Sequence, residues 1–115
     1  MSESDCLFCK IVAGEVPTDK VLENESALAF RDIDPAAPTH VLVIPKRHVA
    51  SANELTPDDA AELAGMFQLI QGVAQQEGVA GGYRVVTNVG GPAGQSVLHL
   101  HFHVLGGRSL SWPPG

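Results

Sequence analysis

Apolar positions recur along this chain with two different periods, and the changes of period mark out its elements. Val21-Leu22-Glu23 and Ala27-Leu28-Ala29-Phe30-Arg31 read as two short strands, with Glu23-Asn24-Glu25-Ser26 as the turn between them. Asp32 to Pro38 is a loop, because two prolines exclude regular pairing there. His40-Val41-Leu42-Val43-Ile44-Pro45 is a nearly continuous apolar run that predicts a central strand ending at the proline. Thr56-Pro57-Asp58-Asp59 predicts a helix start: a hydroxyl N-cap, a proline at the first helical position and two acids at the positive end of the dipole. Leu63, Met66, Phe67, Ile70, Val73 and Ala74 follow at helical spacing, and the stripe runs to Glu77 and stops at Gly78. Tyr83 to Asn88 is a further strand after Gly81-Gly82, and Cys6 to Ala13 a brief helix or turn closed by Gly14. These elements predict one α+β domain over residues 1–115: a five-stranded antiparallel sheet, one long helix and a short N-terminal helix.

The fifth strand carries the most informative run, Gly94-Gln95-Ser96-Val97-Leu98-His99-Leu100-His101-Phe102-His103-Val104. At strand periodicity His99, His101 and His103 share one face and Leu100, Phe102 and Val104 the other. The imidazoles would then stand in a row, each roughly 7 Å from the next. Three of the chain's five histidines lie here. Imidazole serves near neutral pH as base, nucleophile and metal ligand. Just before it, Gly90, Gly91 and Gly94 allow close backbone approach to an anion, with Gln95 and Ser96 as side-chain donors. Donors beside a histidine row suit a phosphate attacked by one imidazole.

Composition narrows the partners. A net charge of -6 argues against nucleic acid and anionic membrane surfaces as ligands, which need basic protein surface. No apolar stretch reaches bilayer length, and Met1-Ser2-Glu3-Ser4-Asp5 is acidic, unlike a secretory leader; a cytoplasmic location is expected. Cys6-x-x-Cys9 in a reducing compartment points to metal or redox chemistry more than to a structural disulfide. With His48 and His99 it could complete a Cys₂His₂ zinc set, or the thiols could simply be buried or idle.

His99-Leu100-His101-Phe102-His103-Val104-Leu105 resembles the signature of the histidine triad family. The likeness extends to Leu28-Ala29-Phe30-Arg31-Asp32-Ile33, Pro38 to His48, Asn88, Gly94-Gln95-Ser96-Val97, and the tail Leu105-Gly106-Gly107-Arg108…Trp112-Pro113-Pro114-Gly115. It covers nearly the whole chain, and is nearest to the nucleotide-binding branch. That resemblance implies a homodimer with a continuous sheet, in which residues 106–115 and Trp112 reach the interface. Trp112 as an anchor on its own subunit is the alternative.

The resemblance further implies a purine nucleoside phosphoramidase that releases AMP from adenosine 5′-phosphoramidates and acyl adenylates. The implied catalytic set is His101 as nucleophile, with His99, His103, Ser96 and His40 around it. His40 would orient His101, while His103 and Ser96 would hold the phosphate or protonate the leaving amine. Gln95 and the Gly94 backbone would bind phosphate oxygens beside Asn88. Asp32 would bind the ribose; without the resemblance it would be a loop aspartate capping a turn. Leu7, Phe8, Ile11, Phe30 and Ile33 would wall the purine. Zinc at Cys6, Cys9, His48 and His99 would be structural, with catalysis independent of it. The loop Val89-Gly90-Gly91-Pro92-Ala93 is more apolar than the branch's usual loop. Three other functions compete: dinucleoside polyphosphate hydrolysis, a catalytic zinc held by the histidine row, and nucleotide binding with incidental hydrolysis.

Overall fold

The computed structural model describes residues 5–115, so Met1 to Ser4 of the acidic N-terminal stretch lie outside the described residues. Helix α1 spans Leu7–Val12; strands β1, β2 and β3 span Lys20–Glu23, Ala27–Arg31 and Thr39–Pro45. Helix α2 spans Ala60–Gln76, β4 spans Tyr83–Val86 and β5 spans Phe102–Gly106. The strands form one antiparallel sheet in the order β1-β2-β3-β5-β4. The α+β architecture, the single sheet and the two helices are therefore as the pattern predicts.

Strand β3 reads as continuously apolar because both of its faces are covered; all seven of its residues are buried. On one face Ala27, Ala29, Val41, Val43, Leu100, Phe102 and Val104 pack with Met66, Leu69, Ile70 and Val73 of α2. On the other, Leu28, Phe30, Leu42 and Ile44 pack with Cys6, Phe8 and Ile11 from the α1 segment. Register puts the chemistry on this second face: Leu42 pairs with Phe30 on one side and with His103 on the other, and directly paired residues share a face.

Helix α2 begins as the sequence indicates. The Thr56 hydroxyl accepts from Asp58 N–H, and an Asp59 carboxylate oxygen accepts from Thr56 N–H at 2.9 Å, closing a capping box around Pro57. A 3₁₀ turn over Pro57–Asp59 leads into the α-helix. The chain leaves the helix at Gly78, whose φ of +74° suits a residue without a Cβ. Leu69 is buried beside the predicted stripe, while Phe67 lies at its exposed edge and meets Phe102 at a centroid distance of 5.2 Å. Gly65 allows close packing: a Cβ there would come within 2.7 Å of Ser26 Oγ in the β1–β2 turn.

Two boundaries differ from expectation. Strand β4 ends at Val86, short of Asn88, and β5 begins at Phe102, so His99 to His101 lie outside the ladder. The β3–β5 pairing ends at Val43↔Phe102. Beyond it β3 reaches Pro45, which has no N–H to offer, and the chain turns away. The segment before β5 is held instead by Leu100 N–H donating to Val49 O at 2.6 Å. Alternation nevertheless persists, since Leu100 joins the α2 core and His101 the opposite face. No helix among the described residues is long and apolar enough to cross a membrane.

Candidate active site

A cavity of about 380 Å³ opens between α1 and the sheet. Its lining includes Leu7, Phe8 and Ile11 of α1, Phe30 and Leu42 of the sheet, and Asp32, Ile33, Ser96, His101 and His103 at its polar end. All five predicted purine-wall residues thus meet in one place. Val16, Pro17, Thr18, Arg31, Leu42 and Val97 also line it and were not anticipated. Val16, Pro17 and Thr18 lie in a segment whose local pattern carries no chemistry, and only the tertiary fold brings them there. Ile33 is 99 % exposed, an apolar residue standing at the cavity mouth with no protein cover.

The row does not act as a row. His101 and His103 face the cavity with ring centroids 5.1 Å apart. His99 is fully buried and turned away into the Cys6/Cys9 region. It keeps the alternation, since Phe8 meets both His99 and His101, but its partners are the thiols and not the cavity. No metal-ligating set among the described residues contains two members of the row. The alternative of a catalytic zinc gripped by His-x-His therefore lacks its geometry.

Hydrogen bonds assign the ring protons. His101 Nδ1 donates to His99 O at 2.7 Å, so in the neutral ring Nε2 carries the lone pair. The His101 carbonyl in turn accepts from Thr87 Oγ1 at 2.8 Å. Thr87 was missed by the sequence reading, because a threonine at a strand end shows no local signal. The ring of Phe8 stands edge-on to His101 at 5.2 Å and 88°, so this nucleophile candidate is fixed by its backbone bond on one side and an aromatic wall on the other.

His40 does not orient His101. Register places His40 opposite Leu105, so its diagonal neighbour on that face is His103, and His101 lies a further two residues along. Ala36 N–H donates to His40 Nδ1 at 2.9 Å, which leaves the ring proton on Nε2. That proton points to His103 Nδ1 at 2.9 Å, with Asp32 Oδ2 at 3.3 Å. His103 must then carry its own proton on Nε2. Burial, reinforced by the neighbouring His101 and His40, pulls its pKa down from 6.5 to about 4. His103 is therefore a neutral N–H donor at pH 7. Asp32, His40 and His103 also converge closely enough to suggest a metal set. The proton on His40 Nε2 occupies the shared space, so the trio is a hydrogen-bond chain.

Asp32 caps a turn and also stands at the cavity. Oδ1 caps the following turn by accepting Asp34 N–H at 2.8 Å, and the residue lines the cavity. The expected roles of Gln95 and Gly94 are corrected. Gln95 is buried; Nε2 donates to Ala50 O at 2.8 Å and Val97 O at 3.0 Å, while Oε1 accepts Gly90 N–H at 2.9 Å. Its backbone N–H donates to Gly90 O, and that of Gly94 to Gly91 O. These groups brace the loop instead of facing a ligand, and leave Ser96 as the loop's polar side chain on the cavity. Gly94 needs its glycine for a φ of +98°, and Asn88 lies alongside it. Trp112 is 81 % exposed, so the tail does not anchor it on its own subunit.

The Cys and His residues predicted to bind a metal do converge. Cys6 Sγ lies 3.2 Å from His99 Nδ1, and Cys9 Sγ lies 3.2 Å from His48 Nδ1 and 3.5 Å from His99 Nδ1. Tetrahedral zinc bound by sulfur and nitrogen spaces such atoms roughly 3.6 Å apart, so only a small expansion is needed. His99 Nε2 donates to Pro45 O at 2.9 Å, which turns the Nδ1 lone pair toward the thiols. Cys9 N–H donates to Cys6 Sγ at 3.3 Å, which fixes that sulfur at the start of α1. Donor types, spacing and tautomer all fit zinc.

Comparison with known proteins agrees with this geometry. Residues 13–110 match the HIT domain. An uncharacterized HIT-like protein of Synechococcus elongatus is 50% identical over 115 residues, covering 100% of both chains. A protein of Zea mays named a 14 kDa zinc-binding protein is 44% identical over 117 residues, covering 100% of this chain and 91% of that one. The crystal structure of a HIT family hydrolase from Legionella pneumophila superposes with a TM-score of 0.93 at 51% identity, covering 96% of this chain and 100% of that one. A histidine triad nucleotide-binding protein from Candida albicans superposes at 0.81 with 34% identity, covering 95% and 83%.

Proposed function

The chain belongs to the HIT family, and from that premise we propose that it is a purine nucleoside phosphoramidase acting through a covalent adenylyl-histidine. The observation that carries this reading is the tautomer of His101. Its Nδ1–H is tied to His99 O, so the Nε2 lone pair is available to an electrophile in the cavity. In the first step Nε2 attacks the α-phosphorus of an adenosine 5′-phosphoramidate and the P–N bond breaks. In the second, water attacks the same phosphorus and the P–Nε2 bond breaks, releasing AMP. The departing amine takes its proton from the donors beside the phosphate, His103 Nε2–H or the Ser96 hydroxyl, and that donor is restored when the attacking water gives up a proton of its own.

The surrounding groups have matching tasks. Neutral His103 offers Nε2–H to a phosphoryl oxygen without the desolvation cost of a buried cation. The Ser96 hydroxyl is the second donor. Leu7, Phe8, Ile11, Phe30 and Ile33 cover the purine, and Asp32 accepts from the ribose. Zinc at Cys6, Cys9, His48 and His99 would pin the N-terminal segment to the sheet.

The same reading pairs two chains through the free edge of β4, making one continuous sheet and giving the exposed Trp112 a place beside the partner's cavity. It also places the protein in the cytoplasm, where the Cys6 and Cys9 thiols suit metal binding.

Steady-state hydrolysis of an adenosine 5′-phosphoramidate carrying a fluorescent amine tests the proposal. His101→Ala should lower turnover by at least about 10³-fold. Wild-type protein that ignores this substrate but cleaves dinucleoside polyphosphates would move the function to that reaction.

A further inference from the structure

We infer that Cys6, Cys9 and His48 are positioning residues for the nucleophile, so that a metal held with His99 fixes the ring of His101 and the α1 wall of the cavity. The link is His99, which belongs to both centres. Its ring Nδ1 faces the thiols at 3.2 and 3.5 Å, its Nε2 is tied to Pro45 O, and its carbonyl accepts the His101 Nδ1 proton at 2.7 Å. Whatever fixes the ring of His99 fixes the acceptor that sets the tautomer of His101.

The surroundings of this link lie outside regular secondary structure. Residues 95–100 have no ladder partner. They are joined to the chain just beyond His48 by Leu100 N–H to Val49 O and Gln95 Nε2 to Ala50 O. The ligands His48 and His99 thus lie on opposite sides of this irregular joint, and a shared metal would clamp it. Helix α1 has six residues, too few to persist alone in water. It carries Phe8, which stands edge-on to His99 at 5.9 Å and to His101 at 5.2 Å. Cys6 and Cys9 flank Phe8, so a metal on both thiols fixes the wall against which the His101 ring rests. Such a metal makes no contact with substrate and takes part in no bond change. Its influence is on where the nucleophile points.

The inference rests on the nucleotide reading only for its ligand probe, because the tautomer of His101 can be observed without one. Zinc-loaded and metal-free protein would be compared at pH 7.5, both shown folded by circular dichroism. Long-range ¹H–¹⁵N spectra of the histidine rings, with His101 assigned through His101→Gln, report the tautomer. AMP titration reports the cavity. The expected result is a single Nδ1–H form of His101 with zinc, and mixed tautomers with about tenfold weaker AMP binding without it. Ile70→Val, which loosens the α2 core and leaves the joint intact, should keep the single tautomer and the wild-type AMP affinity when zinc-loaded.

If metal-free protein is unfolded, zinc-treated His48→Phe provides the comparison. It retains a ring against His99, where the two rings now lie 5.1 Å apart, and removes one ligand. It should show the same mixed tautomers and weakened binding. An unchanged His101 spectrum and unchanged AMP affinity on losing zinc or the ligand would overturn the inference, as would protein that takes up no zinc. Zinc-loaded protein that fails to bind AMP would instead sink the nucleotide reading, while the tautomer comparison would still decide this one.

Discussion

Val41 and Val43 lie under α2, while Leu42 and Ile44, their neighbours on the same strand, lie on the α1 side. The two faces are closed in different ways. Helix α2 covers its side with 17 residues, a capping box and five buried side chains. Helix α1 has 6 residues and buries only Phe8 and Ile11, and its N-cap is a cysteine. The first face is continuous apolar packing. The second is interrupted by a cavity whose walls are side chains from five separate segments. Concentrating the packing under α2 lets the other face hold buried imidazoles and an open cavity, features that cost stability when left without a ligand.

The largest effect expected from this contrast lies under α2. Ile70→Ala at a position 1% exposed should destabilise the fold by roughly 2–5 kcal/mol. Turnover per folded molecule should stay within about twofold, measured by urea denaturation beside steady-state kinetics. A specific loss of turnover would show that the two faces are not separable.

A smaller effect is expected on the cavity side. Asp32→Ala should weaken AMP binding by about tenfold, in line with loss of a charged hydrogen bond, and leave inorganic phosphate unaffected, as read by calorimetric titration. Equal AMP affinity in wild type and variant would remove Asp32 from the ribose site and leave it as the cap of the turn at Asp34 and partner of His40.

The mildest effect is a pH dependence. Folding lowers the His103 pKa from 6.5 to about 4. Between those values the unfolded chain binds a proton that the folded chain refuses, so stability should fall as pH drops through that window. Above pH 6.5 this contribution is flat. His103→Gln removes the titrating group, so its urea midpoint should fall less than that of wild type between pH 7 and pH 5. Parallel falls would mean that His103 is not buried as a neutral ring.

The same contrast explains what the sequence made legible. The α2 face is periodic, so its helix, its cap at Thr56 and its stop at Gly78 could be read from local spacing. The alternation of His101, Phe102, His103 and Val104 likewise placed two imidazoles opposite the core. What local spacing could not supply was the fate of groups whose partners lie far along the chain. His99 obeys the alternation but belongs to the Cys6 cluster, 93 residues away. Gln95 has the composition of a phosphate donor, yet its amide is engaged by Ala50 and Gly90. His40 was assigned to His101, and register delivers it to His103. Thr87 gave no signal, because its role exists only once β4 and the His101 carbonyl are side by side.

Rapid-quench mass spectrometry tests the central claim most directly. Wild-type protein mixed with an adenosine 5′-phosphoramidate and stopped within one turnover should yield an adenylyl group on His101. Turnover without an adduct, or with the adduct on His103 or His99, would contradict the account.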